Sequence, residues 1–99
     1  MKIEIPFIEF FKEKIFFKDV SCTSRIKRYG ITGDTFNQWG IKFMLTKVTA
    51  LSLGYVIENL YRQEGFFSPA DFIKYWQKFH PDIGYDPHQI VFVHFFKKN

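Results

Sequence analysis

The sequence predicts a mixed α+β domain, a small barrel or curled sheet, mostly antiparallel, with helices inserted between its strands. Segments rich in β-branched and aromatic residues stand at both ends and in the middle of the chain. Two stretches between strand-like segments change to a helical period, and Gly and Pro mark the joints. A doubly wound parallel sheet would need a more regular alternation, and no dinucleotide or Walker-type glycine pattern is present.

Ile3, Ile5 and Phe7 alternate with polar or small residues and predict an opening strand that ends near Pro6 and Phe7. The run IEFFKEKIFF over 8–17 puts Ile8, Phe11, Ile15 and, at its margin, Phe16 on one face and Lys12, Glu13 and Lys14 largely outside, a short amphipathic helix. A strand over Val20–Lys27 follows, and Gly33-Asp34 supplies turn chemistry. Thr35–Trp39 reads as a strand that turns at Gly40 into a longer one, Ile41–Leu51. From Leu51 to Glu64 the period is helical: Leu53, Val56, Ile57 and Leu60 form a stripe, Glu64 falls on it, and Gly65 is the expected left-handed stop. Ser68-Pro69-Ala70-Asp71 opens a second helix, with Ser68 as cap, Pro69 at the first position and Asp71 at the positive end. Its expected buried face is Phe72, Ile73, Trp76 and Phe79, and it stops before Pro81. Gln89–Phe96 closes the fold as a strand, followed by a basic tail of Lys97 and Lys98.

The 99 residues fit one domain, 1–99, that can bury roughly two-thirds of its unfolded surface. Fourteen Phe among 21% aromatic residues predict a core of large flat side chains. The formal charge of +4 suits a polyanionic partner, RNA or a small nucleoside or nucleotide. Cys22 is the one cysteine, which excludes an intramolecular disulfide framework and points to a reducing cytoplasm, with a small buried strand residue as its role. No apolar run reaches the ~18–20 residues a bilayer span needs, and MKIEIPF carries charge where a signal peptide needs an apolar core, so no membrane association is expected. His80, His88 and His94 lack the spacing of helical metal-ligand pairs, so neither metal nor cofactor is assigned. His94 is expected as a satisfied interior or rim histidine, and His80 as part of a helix end.

The most informative stretch is VSCTSRIKRYGITGD, 20–34. Alternation puts Ser21, Thr23, Arg25 and Lys27 on one face and Val20, Cys22, Ser24 and Ile26 on the other. Two hydroxyls and two cations in one row suit an anion or nucleotide, and the same row also suits a solvated sheet face. Arg25, Lys27 and Arg28 could hold phosphates while Tyr29 or Trp39 stacks on a base. Trp39 equally suits a turn anchor, and Trp76 reads as core.

These elements, in order, resemble the ASCH family of PUA-like barrels. The likeness runs from Phe7 to Phe96 and rests on the Thr23-Ser24-Arg25 strand, Gly33-Asp34-Thr35, Glu64-Gly65-Phe66, the capped helix with Trp76 and the final strand to Phe95. The resemblance implies an RNA- or nucleotide-binding cleft with Thr23, Arg25 and Glu64. The family signature G-x-K-x-x-x-x-R is altered here: Lys18 stands for the glycine and Val20 for the lysine, ahead of Arg25. In relatives resembling small acetylcytidine amidohydrolases that lysine acts with a threonine and a glutamate, which Thr23 and Glu64 match. An amidohydrolase acting on an acylated pyrimidine nucleoside is therefore the alternative function. It would take its cation from Lys27 or Lys18, with Glu64 as the base, its pKa raised by the negative helix end. Pairing of Glu64 with Arg25 or Arg62 is the simpler role for that carboxylate. Loss of the signature lysine favours binding over catalysis.

Overall fold

A computed structural model describes residues 1–7, 11–17 and 20–99, without the side chains of Glu13, Phe16 and Phe17. Helix α1 spans Lys12–Phe17; strands β1, β2 and β3 span Cys22–Arg25, Thr35–Gln38 and Ile41–Ser52; helices α2 and α3 span Leu53–Asn59 and Pro69–Phe79; and β4 spans Ile90–Lys98. The four strands form one antiparallel sheet in the order β1-β4-β3-β2. It is a curled half-barrel, compatible with a small β-barrel, and the chain is an α+β protein as its sequence predicts.

The longest strands lie in the middle of the sheet, where both ladders can be satisfied. The β3–β4 ladder runs from Phe43↔Lys98 to Ser52↔Ile90, with an irregularity between Leu45 and Lys47. Directly paired residues share a face, so Val48 and His94 lie on one side of the sheet and Thr49 and Val93 on the other. Along β4, Val91, Val93, His94 and Phe96 are all buried, so this central strand is covered on both faces. Phe7, Phe36, Phe43 and Phe96 pack as a ring cluster with centroids 5.3–6.1 Å apart. Helices α2 and α3 add Leu53, Val56, Ile57, Phe72 and Trp76 to the same core.

Local signals explain the ends of the elements. The β2–β3 hairpin closes through Trp39 at φ 51° and Gly40 at φ 79°, the paired left-handed conformations of a two-residue primed turn. The Trp39 ring rests on Phe7 at 6.0 Å, so it is the turn anchor that its position suggested. Ser68 caps α3 by accepting from the Asp71 N–H at 3.2 Å, with Pro69 at the helix start. At the other end of α3, the His80 N–H donates to the Trp76 carbonyl at 2.9 Å.

Five expectations change. The opening strand is a single bridge from Lys2 to Thr35, with the Ile3 N–H donating to the Thr35 carbonyl at 2.8 Å. Ile8 of the first helical stripe lies outside the described residues. The strand over Val20–Lys27 contracts to β1, leaving Lys27 in the following loop. Lys97 and Lys98 belong to β4 rather than to a tail, and Phe79, placed on the buried face of its helix, is 44% exposed near the helix end. The predicted helix to Glu64 stops as α2 at Asn59; bonds from Glu64 N to Leu60 O, Gly65 N to Arg62 O and Phe66 N to Tyr61 O mix three spacings and make a compact turn. No helix among the described residues is long and apolar enough to cross a membrane.

Replacing Ser68 by Ala removes the α3 cap and is expected to lower stability by about 1 kcal/mol. Urea unfolding checks this, and Ser68→Asp should retain most of the wild-type value.

Candidate functional site

Strand β1 lies at the edge of the sheet, and a bare edge offers unpaired N–H and C=O groups. One side of β1 pairs with β4, as in the bond from Phe96 N–H to the Ser21 carbonyl at 2.9 Å. Toward the other side, Cys22 N–H donates to the Gln63 carbonyl at 3.4 Å and Ser24 N–H to Glu64 Oε1 at 3.1 Å. The turn after α2 therefore closes this edge, with a carboxylate in the place of a strand carbonyl. Ser24 Oγ also donates to Glu64 Oε2. Gly65 makes the turn possible: its φ is +97°, and a Cβ there would come within 3.0 Å of Val20 Cγ2.

A cleft of about 530 Å³ opens beside β1. Thr23 and Ser24 both line it although neighbours on a strand face opposite ways, as expected where a cleft wraps an edge. Arg25, Lys27, Tyr29 and Glu64 line it too, among the rings of Phe7, Phe66 and Tyr75. Of the residues singled out from sequence, the fold thus gathers Thr23, Arg25, Lys27, Tyr29 and Glu64. Arg28 is exposed beside the lining residues Lys27 and Tyr29, and Trp39 sits at the hairpin turn against Phe7; neither is itself a lining residue, and Lys18 lies outside the described residues. Val20, at the signature lysine's position, is a buried apolar wall of the cleft.

Glu64 is buried, and loss of water pushes its carboxyl pKa up to about 7. Two hydrogen bonds from Ser24 and the charge of Arg25 pull the other way without cancelling the burial. The cause is burial in a turn rather than a helix end, and the hydrogen-bonding partner is Ser24. At β1 the alternation holds for Thr23 and Arg25: Arg25 Nε donates to Thr23 Oγ1 at 3.0 Å. The guanidinium lies 5.0 Å from the Phe7 ring centre and 5.8 Å from that of Tyr29, while Lys27 Nζ stands 4.8 Å from the Tyr29 centre. Burial lowers the Arg25 pKa, opposed by Tyr29, Tyr75 and Glu64. Among the described residues no carboxylate comes within ion-pair distance of Arg25.

Two residues that carry the site have partners that sequence reasoning missed. Ser24 was assigned to the face opposite Thr23 with no role, because nothing local shows that the far side of β1 meets a carboxylate. His94 is the satisfied interior histidine expected from sequence, fully buried with both ring nitrogens partnered; the identity of those partners, distant in sequence, is what sequence did not show. Among the described residues no group of three His, Cys, Asp or Glu side chains could hold a metal ion. No family model, curated protein or solved structure matches the chain.

Two outcomes follow from the Glu64 geometry. Ser24→Ala removes a hydrogen bond that favours the carboxylate, so the Glu64 carboxyl, followed by carbon-detected NMR, is expected to titrate at higher pH than in the wild type. Because the folded pKa of about 7 exceeds the ordinary 4.5, the folded state holds the extra proton between these values. The stabilising contribution of that proton is complete below pH 4.5 and is lost as the pH rises through 7. Urea unfolding across this window should show wild type losing a few kcal/mol relative to Glu64→Gln; parallel curves would contradict the assignment.

Proposed function

We propose that the cleft binds a single-stranded RNA residue or a nucleotide-sized ligand, in a PUA-like barrel of ASCH type. One observation carries this reading: a half-buried guanidinium, Arg25, stands in an aromatic-lined cleft with no carboxylate at ion-pair distance among the described residues. A cation beside rings suits a ligand with both a phosphate and a base. The volume of about 530 Å³ suits one such unit rather than a duplex. In this reading Arg25 and Lys27 hold the phosphate, Tyr29 supplies a stacking face, and Thr23 and Glu64 meet the polar edge of the base. The formal charge of +4 favours approach of the polyanion.

A second reading, hydrolysis of an acylated pyrimidine nucleoside, is favoured by the position of Glu64, whose pKa of about 7 suits proton transfer near neutral pH. Thr23 is its candidate nucleophile or water-positioning group, and Lys27 would stabilise the oxyanion in place of the lysine that Val20 replaces. Incubation with acetylcytidine tests it: turnover that disappears in Glu64→Gln would establish the enzyme.

For the binding reading, Arg25→Ala is expected to weaken affinity for a short single-stranded RNA about tenfold or more at constant fold, and to reduce the dependence of binding on salt. Circular dichroism checks the fold and fluorescence anisotropy the affinity. Unchanged affinity would overturn the reading.

A further inference from the structure

The loop from Ile26 to Asp34 joins β1 to β2 and supplies Lys27 and Tyr29 to the cleft. Its far end is tied to β3, where Gly33 N–H donates to the Leu45 carbonyl and Leu45 N–H to the Asp34 carbonyl, both at 2.8 Å. Its middle is tied by a side chain. The Tyr29 N–H donates to Nε2 of His94 at 3.0 Å. An amide N–H can only donate, so Nε2 is unprotonated and the imidazole proton of the neutral ring sits on Nδ1, which faces the Thr23 carbonyl at 3.3 Å.

His94 is 0% exposed and stands opposite Thr23 in the β1–β4 register. It therefore bridges the backbone of β1 to the backbone of the loop. Only one of the three forms of the ring makes both bonds. The other neutral tautomer sets N–H against N–H and a lone pair against a carbonyl, and the cation keeps the Thr23 bond but loses the acceptor for Tyr29.

We propose that His94 is a positioning residue of the cleft: its neutral Nδ1–H form pins the Tyr29 backbone, and with it the ring shared by Arg25 and Lys27, and proton uptake releases that pin. The consequence for ligand binding rests on the reading of the cleft as a nucleotide site; the pinning of the loop does not. From β1 the imidazole faces Thr23 and the charge of Arg25; from the loop it faces the Tyr29 ring, 5.9 Å away; from β3 it faces Val48, which carries no charge. Burial first, and Arg25 as well, lower the His94 pKa, against the carbonyls of Thr23 and Phe92. Release frees the ring to titrate at its ordinary value of 6.5, so the released state binds one more proton below that pH. The released fraction then grows as the pH falls below this value, at a slope that approaches but does not exceed about tenfold per pH unit, until the folded pKa is reached.

Nitrogen-15 NMR of the whole chain without ligand tests the pin. The His94 ring is expected to show the Nδ1–H tautomer at pH 7.5. Protection of the Tyr29 amide from hydrogen exchange, corrected for the intrinsic rate, should fall relative to that of Val93 between pH 6.5 and 5.5, by up to about fivefold. Glu64→Gln should leave this fall unchanged, which separates it from the carboxyl titration. In His94→Gln the side-chain amide can accept from Tyr29 and donate to Thr23 without titrating, so protection should be retained and become independent of pH. An Nε2–H tautomer, or pH-independent Tyr29 protection in the wild type, would overturn the proposal, and both are measured on a chain that needs no substitution. A second arm measures binding of a mixed-sequence RNA hexamer at pH 7.5 and 5.5, where acid should weaken the wild type more than His94→Gln. Absence of hexamer binding at both pH values beside an intact protection result would overturn the nucleotide reading and leave the pin standing.

Discussion

The contact between Glu64 and Ser24 governs the architecture around the cleft. A short edge strand cannot be left open beside a buried cleft, because its outward amides would lose water without gaining partners. Here the turn after α2 answers that need with one backbone carbonyl, from Gln63, and one carboxylate. Gly65 lets the chain leave that turn, and Phe66 then enters the core. The same burial that completes the sheet edge makes Glu64 a poor anion, so a structural requirement leaves a protonatable group in the cleft.

Strand β1 is flanked by two buried titratable side chains of opposite chemistry. Glu64 meets it through Ser24, and His94 through Thr23. Burial raises one pKa and lowers the other, so each group is driven toward its neutral form. Arg25 acts electrostatically on both and stays charged, since no side-chain environment of this kind deprotonates a guanidinium. Among the described residues no carboxylate stands at ion-pair distance from it. That local charge, rather than the overall charge of the chain, is what the proposed phosphate contact draws on.

Much of the fold was legible because it depends on local signals. The cap at Ser68, the turn at Trp39-Gly40 and the alternation along β3 and β4 announce themselves within a few residues. The opening strand did not form as read, since Ile3 and Ile5 alternate as a strand would while one bridge to Thr35 is the only pairing described there. The helix to Glu64 was over-extended for the same reason: Leu60 and Glu64 continue the period of α2 although the chain has already turned. Glu64 could thus be picked out as an inward residue, yet the reason for its raised pKa was misassigned. The cleft residues on β1 and its loop could be read from alternation and charge. The roles of Ser24 and His94 could not, because their partners lie 40 to 71 residues away in the chain.

The central claim is that a nucleotide occupies the cleft beside β1, and an amide NMR titration of the whole chain with cytidine monophosphate tests it most directly. Progressive shifts at residues 23–29 and at Glu64 and Tyr75, saturating together with one affinity, are the expected result. Shifts confined to residues outside the cleft lining, or none at millimolar nucleotide, would contradict the account.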